Sequence, residues 1–198
     1  MDSEIKKEII LLKDSRVWVT KKARMEAEAR MKFNDNISKG LVSYYTFVVL
    51  SFSIATLVIE DSNISLFTVI ASVGLFGLSL IVSAKAYKEK AIRYKESYLN
   101  LNELEFDLKN LLRTDAVIGS DLVQEFRRCE KLYTDILNRT DNHDDIDYFK
   151  TKLKHQMKIA KLDKVKYYFN KTIKLLFLVL LIFFPLILLL IIVFGGYY

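Results

Sequence analysis

The chain has 198 residues but only one cysteine, one proline and two histidines. Cys129 has no internal partner for a disulfide, and with only His143 and His155 beside it no zinc-ligand cluster can be assembled, so no redox or metal chemistry is expected. Glycine is sparse too, with six residues. Past Gly40 the charged segments contain only Gly119, whereas loops that cradle phosphate need several closely spaced glycines. Nucleotide hydrolysis is therefore not expected, and no Ser, His and Asp set has a supporting context. The reading is a protein that is not an enzyme, with no catalytic residues, no cofactor and no metal. No cleavable leader is expected either, because the first apolar run follows 39 residues of mixed charge; the first membrane helix is expected to act as its own insertion signal.

What the chain does have is apolar length. Gly40 to Ile59 and Ser62 to Ala84 are uncharged runs of about 20 residues, each long enough to cross a hydrocarbon core. Only Glu60 and Asp61 carry charge between them, and the pair reads as a transmembrane hairpin. All thirty basic residues lie outside it, ten up to Lys39 and twenty from Lys85 to Lys174. The bias of lysine and arginine toward the cytoplasm puts both flanks and the N-terminus inside and the acidic turn outside. A net charge of +6 fits topology and attraction to anionic lipid better than it fits nucleic acid.

The expected fold is an all-α membrane protein in four regions: an N-terminal amphipathic cytoplasmic helix over 1–39, the hairpin over 40–84, a cytoplasmic helical region over 85–174, and a third transmembrane helix with a short tail over 175–198. In the first region Ile5, Ile9, Leu12, Val19 and Ala23 follow helical spacing. Trp18 stands among Arg16, Arg24 and Arg30 as an aromatic suited to a membrane interface; the helix is expected to pack on its cytoplasmic neighbours, with a surface-lying lever as the alternative, and Asn34, Asp35 and Asn36 predict a break. Ala84, Tyr87, Ala91, Tyr94, Leu101, Leu104 and Leu108 continue the second membrane helix without a stop, predicting one rod from the outer turn to about Leu112, roughly 75 Å long. A loop is predicted at Thr114 to Asp121. Leu122, Phe126, Cys129, Tyr133 and Ile136 then form the apolar face of a helix that packs against this rod, with Cys129 as a core residue. A basic helix from Tyr148 should run unbroken into the apolar run Leu175 to Phe194, which Pro185 would kink.

Two groups of residues are candidates for function. Ser65, Thr68, Ser72, Ser79 and Ser83 fall within roughly 60° of one another on the second membrane helix. They form either a packing seam or the lining of a pore built by several copies, for which Glu60 and Asp61 would make an outer acidic ring. The second group is the text around His143, Asp144 and Asp147, read as a capped turn whose carboxylates pair with arginines or lysines of the first helix or of a neighbouring subunit. With Arg16, Trp18, Arg24 and Arg30 it would form a cytoplasmic latch.

WVTKKAR from Trp18, the Ala and Arg of EAEAR, the membrane hairpin, Tyr87, Tyr94, Tyr98 and Leu101, and Asn142-His143 followed by Asp147-Tyr148 together resemble the SLATT family of two-transmembrane effectors. The resemblance covers roughly Ser15 to Phe149. It implies a bacterial inner-membrane effector of an antiphage, abortive-infection system, which oligomerises with itself and permeabilises the membrane when a partner senses phage. The Asn142-His143 form is most similar to a branch found beside reverse transcriptases; others lie beside nucleotide-signal synthases. The third apolar run departs from a plain two-helix member. The competing expectation is a membrane-anchored scaffold that tethers a nucleic-acid-synthesising partner through its basic cytoplasmic helices.

Overall fold

The computed structural model describes residues 2–58, 62–113, 120–142 and 144–195. Its elements are α1 (Asp2–Leu11), a π-helical segment (Leu12–Val17), α2 (Trp18–Ala55), α3 (Ser62–Ala84), α4 (Tyr87–Arg113), α5 (Ser120–Asn138), α6 (Asp145–Lys154) and α7 (Lys161–Gly195). There is no strand among the described residues. Three helices are long and apolar enough to cross a membrane: one ending at Ala55, one beginning at Ile64, and Lys161–Ile187. Hardly any of their apolar windows is buried inside the protein, and side chains such as Phe47, Ile70 and Phe76 stand exposed. This is an all-α membrane protein, since that much exposed hydrocarbon needs a lipid environment.

The chain forms two compact units, one of Met1–Asn34 with Tyr87–Lys158, the other of Asp35–Ala86 with Ile159–Tyr198. In the first, the predicted face of α5 supplies Leu122, Phe126, Cys129 and Ile136 to a core completed by Leu101, Leu104 and Leu108 of α4 and by Ile9, Leu12 and Val17. Each such aliphatic or aromatic side chain contributes about 1.5–3 kcal/mol when fully buried. The step of five from Leu12 to Val17 is one π turn, which shifts the phase of the helix by a residue. Val17, not the expected Val19, therefore enters the core. A second cluster joins Ala27 and Met31 of α2 to Ala91 and Tyr94 of α4.

Three expected boundaries differ. α2 passes straight through Asn34 to Asn36, because no proline or glycine stops it and the pairs Lys32–Glu28 and Lys39–Asp35, both at 2.6 Å and four residues apart, support the helix on either side. Conversely, the expected rod from the outer turn to Leu112 is interrupted. α3 ends at Ala84, Ala86 adopts a left-handed φ of 49°, and its N–H donates back to Ser83 O at 3.1 Å. The basic helix is interrupted too. Gln156 has φ 53°, and the N–H groups of Gln156 and Met157 donate to Leu153 O and Lys152 O, a Schellman stop built without glycine. Of the loop expected at Thr114 to Asp121, residues 114–119 lie outside the described residues, and Ser120 and Asp121 open α5.

Candidate functional site

In the first unit, the turn joining α5 to α6 is held from three sides. Arg24 of α2, fully buried, donates from Nη1 to Ile136 O at 3.2 Å. Ile136 lies in the last turn of α5, where carbonyls lack helical donors and the helix dipole is negative, so the guanidinium acts as a C-cap. Arg30, six residues on, grips the start of α6. Its Nε and Nη2 donate to the two oxygens of Asp147 at 2.9 and 2.8 Å, and Nη1 pairs with Asp144 Oδ2 at 2.8 Å. Asp147 is fully buried and also accepts the backbone N–H of Asp144 at 3.2 Å, half of a capping box. The third support is Tyr94 of α4, whose hydroxyl donates to Asn142 O at 3.0 Å.

Electrostatics distinguish the two arginines. Burial lowers the pKa of Arg24, with only partial compensation from Tyr133 and Tyr94, and its Nε and Nη2 are buried with no hydrogen-bond partner. Burial acts on Arg30 in the same direction, but the hydrogen bond and charge of Asp147, with the charge of Asp144, outweigh it and the net shift is upward. Tyr94 is shifted upward, chiefly by burial.

The other end of α6 is fixed to the same helix. Lys154 pairs with Glu26, and the ring of His155 meets Trp18 edge to face at 4.8 Å. Because Arg30 holds the beginning of α6 and Trp18 its end, the two helices run antiparallel. Trp18 packs within this unit, with Lys22 Nζ 5.9 Å from its ring centre. Arg16 is exposed and makes no ion pair among the described residues. His143 lies outside the described residues, as do Glu60 and Asp61.

Two further polar features lie in this unit. Glu105, largely buried on α4, pairs with Lys21 of α2 and with Lys109 at 2.7 Å; burial raises its pKa, but the two lysines prevail and the net shift is down. Burial pushes the Cys129 thiol up to about 11, which keeps it protonated and unreactive at neutral pH. Among the described residues no three His, Cys, Asp or Glu side chains are grouped to hold a metal ion.

In the second unit, the five hydroxyl residues of α3 do not share one environment. Ser65, Ser72 and Ser83 are exposed, Ser79 is half-buried and Thr68 is buried. Thr68, Ser72 and Ser79 donate to Ile64 O, Thr68 O and Phe76 O, at 2.8, 2.8 and 2.7 Å, so their hydrogen bonds are met within their own helix. Glycines do not crowd this helix; a Cβ on Gly74 or Gly77 would meet nothing within 4 Å. Across the hairpin Phe52 and Phe67 meet edge to face at 6.1 Å.

The third apolar helix is tied to α2 by hydrogen bonds. Pro185 has no N–H to give the carbonyl four residues earlier, and that carbonyl, Leu181 O, receives the Tyr45 hydroxyl at 2.7 Å. Tyr44 donates to the next carbonyl, Ile182 O, at 2.8 Å. Sequence reasoning missed this bond although its signal was present, a lone proline in a membrane helix and a tyrosine pair in another. It also missed the Tyr94–Asn142 bond, the Trp18–His155 contact and the Lys21–Glu105 pair. These join residues more than 40 positions apart, which no local spacing can reveal.

Against known proteins, the chain matches the family described as "SMODS and SLOG-associating 2TM effector domain family 5" over residues 6–194. No curated protein and no solved structure matches it.

Proposed function

The chain belongs to the SMODS and SLOG-associating 2TM effector family, and from that premise we propose that it is a homo-oligomeric pore of the bacterial inner membrane, opened when a partner senses phage. Its activity is passive permeation that kills the infected cell, with no catalytic step and no cofactor. The observation that carries this reading is the hydroxyl row of α3. Ser65, Ser72 and Ser83 are exposed on an uncharged, mostly apolar helix. Two hairpin helices cannot enclose a channel, so several copies would have to bring these rows together, with Glu60 and Asp61 as an outer acidic ring that favours cations. The N-terminus and the basic flanks face the cytoplasm in this reading.

The latch is the α5–α6 turn held by Arg24 and Arg30. A partner that releases Asp144 and Asp147 would free α2, which runs unbroken from Trp18 to Ala55 and carries both the arginines and part of the hairpin. A nucleotide-signal synthase or a reverse transcriptase encoded nearby is the class of partner the reading calls for. A second reading, a scaffold for a nucleic-acid-synthesising partner, is favoured by the exposed lysines at Lys161, Lys164, Lys166, Lys171 and Lys174. It requires RNA or DNA binding that weakens steeply with salt.

The test is thiol accessibility in intact cells, in a Cys129→Ser background, with single cysteines at Ser65, Ser72 and Ser79 and with Ile70 and Ile81 as controls from the opposite face of α3. Labelling of the row by a membrane-impermeant reagent, appearing together with loss of membrane potential, is the expected result. Protection of every position in dying cells would overturn the pore.

A further inference from the structure

The membrane helices of the second unit leave a half-open cavity of about 270 Å³. Its walls are Val48, Val49 and Phe52 of α2, Ala71 and Leu75 of α3, and Pro185 of α7. Along α3 it extends from Phe67 to Leu78, about 16 Å at the rise of an α-helix, so it is a cleft elongated along the helix axis. The side chain missing at Gly74 is part of the space, since a Cβ there would meet nothing within 4 Å.

Water does not suit this cleft. Its volume would admit about nine molecules at roughly 30 Å³ each, and every buried water needs two to four polar partners. The lining offers only the hydroxyls of Tyr45 and Thr68, and each already donates to a backbone carbonyl, Leu181 O and Ile64 O. No charged side chain lines it, so an ion has no ligand. An apolar space well above 150 Å³ takes up an apolar ligand when one is at hand, and hydrocarbon surrounds these helices on their exposed faces at Phe47, Val69 and Phe76. A half-open apolar cleft that runs along a membrane-crossing helix has the shape and chemistry of a fatty chain's environment.

We propose that the cleft is a binding site for one acyl chain of a bilayer phospholipid, gripped between α2, α3 and α7. The chain would lie against Pro185 and the aromatic face of Tyr45, so the lipid would sit beside the hydrogen bond that ties α7 to α2.

The experiment counts phospholipid retained per protomer, by lipid extraction and mass spectrometry, after prolonged detergent exchange of the full-length protein. Wild type, Gly74→Leu, Gly74→Phe and Gly77→Phe are compared. Gly77 is the control, because a Cβ there also meets open space but the residue does not line the cleft. Wild type and Gly77→Phe are expected to retain one phospholipid more than Gly74→Phe, with Gly74→Leu between. Adding phospholipid to the stripped proteins should raise the melting temperature of wild type and Gly77→Phe but not of Gly74→Phe. Equal retention in all four proteins, or no retained phospholipid in wild type, overturns the proposal, and so does retention lost on dissociation to monomers, which would assign the cleft to a second copy. Should Gly74→Phe fail to fold, the wild-type count and the Gly74→Leu comparison decide the matter.

Discussion

The bond from Tyr45 to Leu181 O should exist because Pro185 does, and that dependence can be measured. In Tyr45→Phe the ring stays and only the hydroxyl goes, leaving Leu181 O without a donor in a helix surrounded by lipid. An unsatisfied buried carbonyl costs about 1–3 kcal/mol, and hydrogen bonds between membrane helices reach at most about 1.7 kcal/mol, so the expected loss is about 1–1.7 kcal/mol, a factor of roughly 5–18 in the unfolding equilibrium. In Pro185→Ala the new N–H supplies the helical donor that Leu181 O lacks, and removing the Tyr45 hydroxyl should then cost little. The assay is a double-mutant cycle on four proteins, with unfolding followed by SDS titration in mixed micelles. Tyr44→Phe provides the internal control, since Leu186 still carries an N–H for Ile182 O and coupling to Pro185 should be absent. A coupling between Tyr45 and Pro185 below about 0.3 kcal/mol, which is the range of plain additivity, would refute the reasoning.

Arg30→Met should destabilise the first unit by about 3–5 kcal/mol in thermal or denaturant unfolding, because it strands the fully buried Asp147, whereas Arg24→Met, which loses one hydrogen bond and removes two unpartnered nitrogens, should cost less than about 1 kcal/mol. Cys129 should resist alkylation at pH 8 in the folded protein and react at once on unfolding. Since the folded thiol titrates at about 11, above its ordinary value, its contribution to stability should be complete below about pH 8.5 and fade as the pH rises through 11, an effect that Cys129→Ala removes. Ala86→Gly should stabilise by about 1 kcal/mol in the same unfolding assay, because only the alanine has a Cβ to strain at φ 49°.

Periodicity made the helical packing legible. The spacing of Leu122, Phe126, Cys129 and Ile136, and of Leu101, Leu104 and Leu108, identified a pair of facing stripes, and these form the core. Helix ends were less legible wherever the stop is imposed from outside. Nothing in the text around Ala86 or Gln156 breaks a helix, and at His155 the neighbour that helps fix the end is Trp18, far away in sequence. At Asn34 to Asn36 the error had the opposite sign, since turn-forming residues yielded to flanking ion pairs. In the site, charge alone could anticipate that Asp144 and Asp147 pair with basic side chains, but not that Arg30 of the same chain would be the partner. That Arg24 would turn instead to the carbonyl of Ile136 could not be anticipated either, because backbone acceptors leave no mark on a sequence.

Within the first unit, the two arginines of α2 carry a torsional consequence. Arg24 and Arg30 are six residues apart, about 9 Å along the axis and about 120° round it, so they reach the end of α5 and the start of α6 from two directions. Turning this part of α2 by a single residue step would carry both guanidiniums away from Ile136 O and Asp147 together.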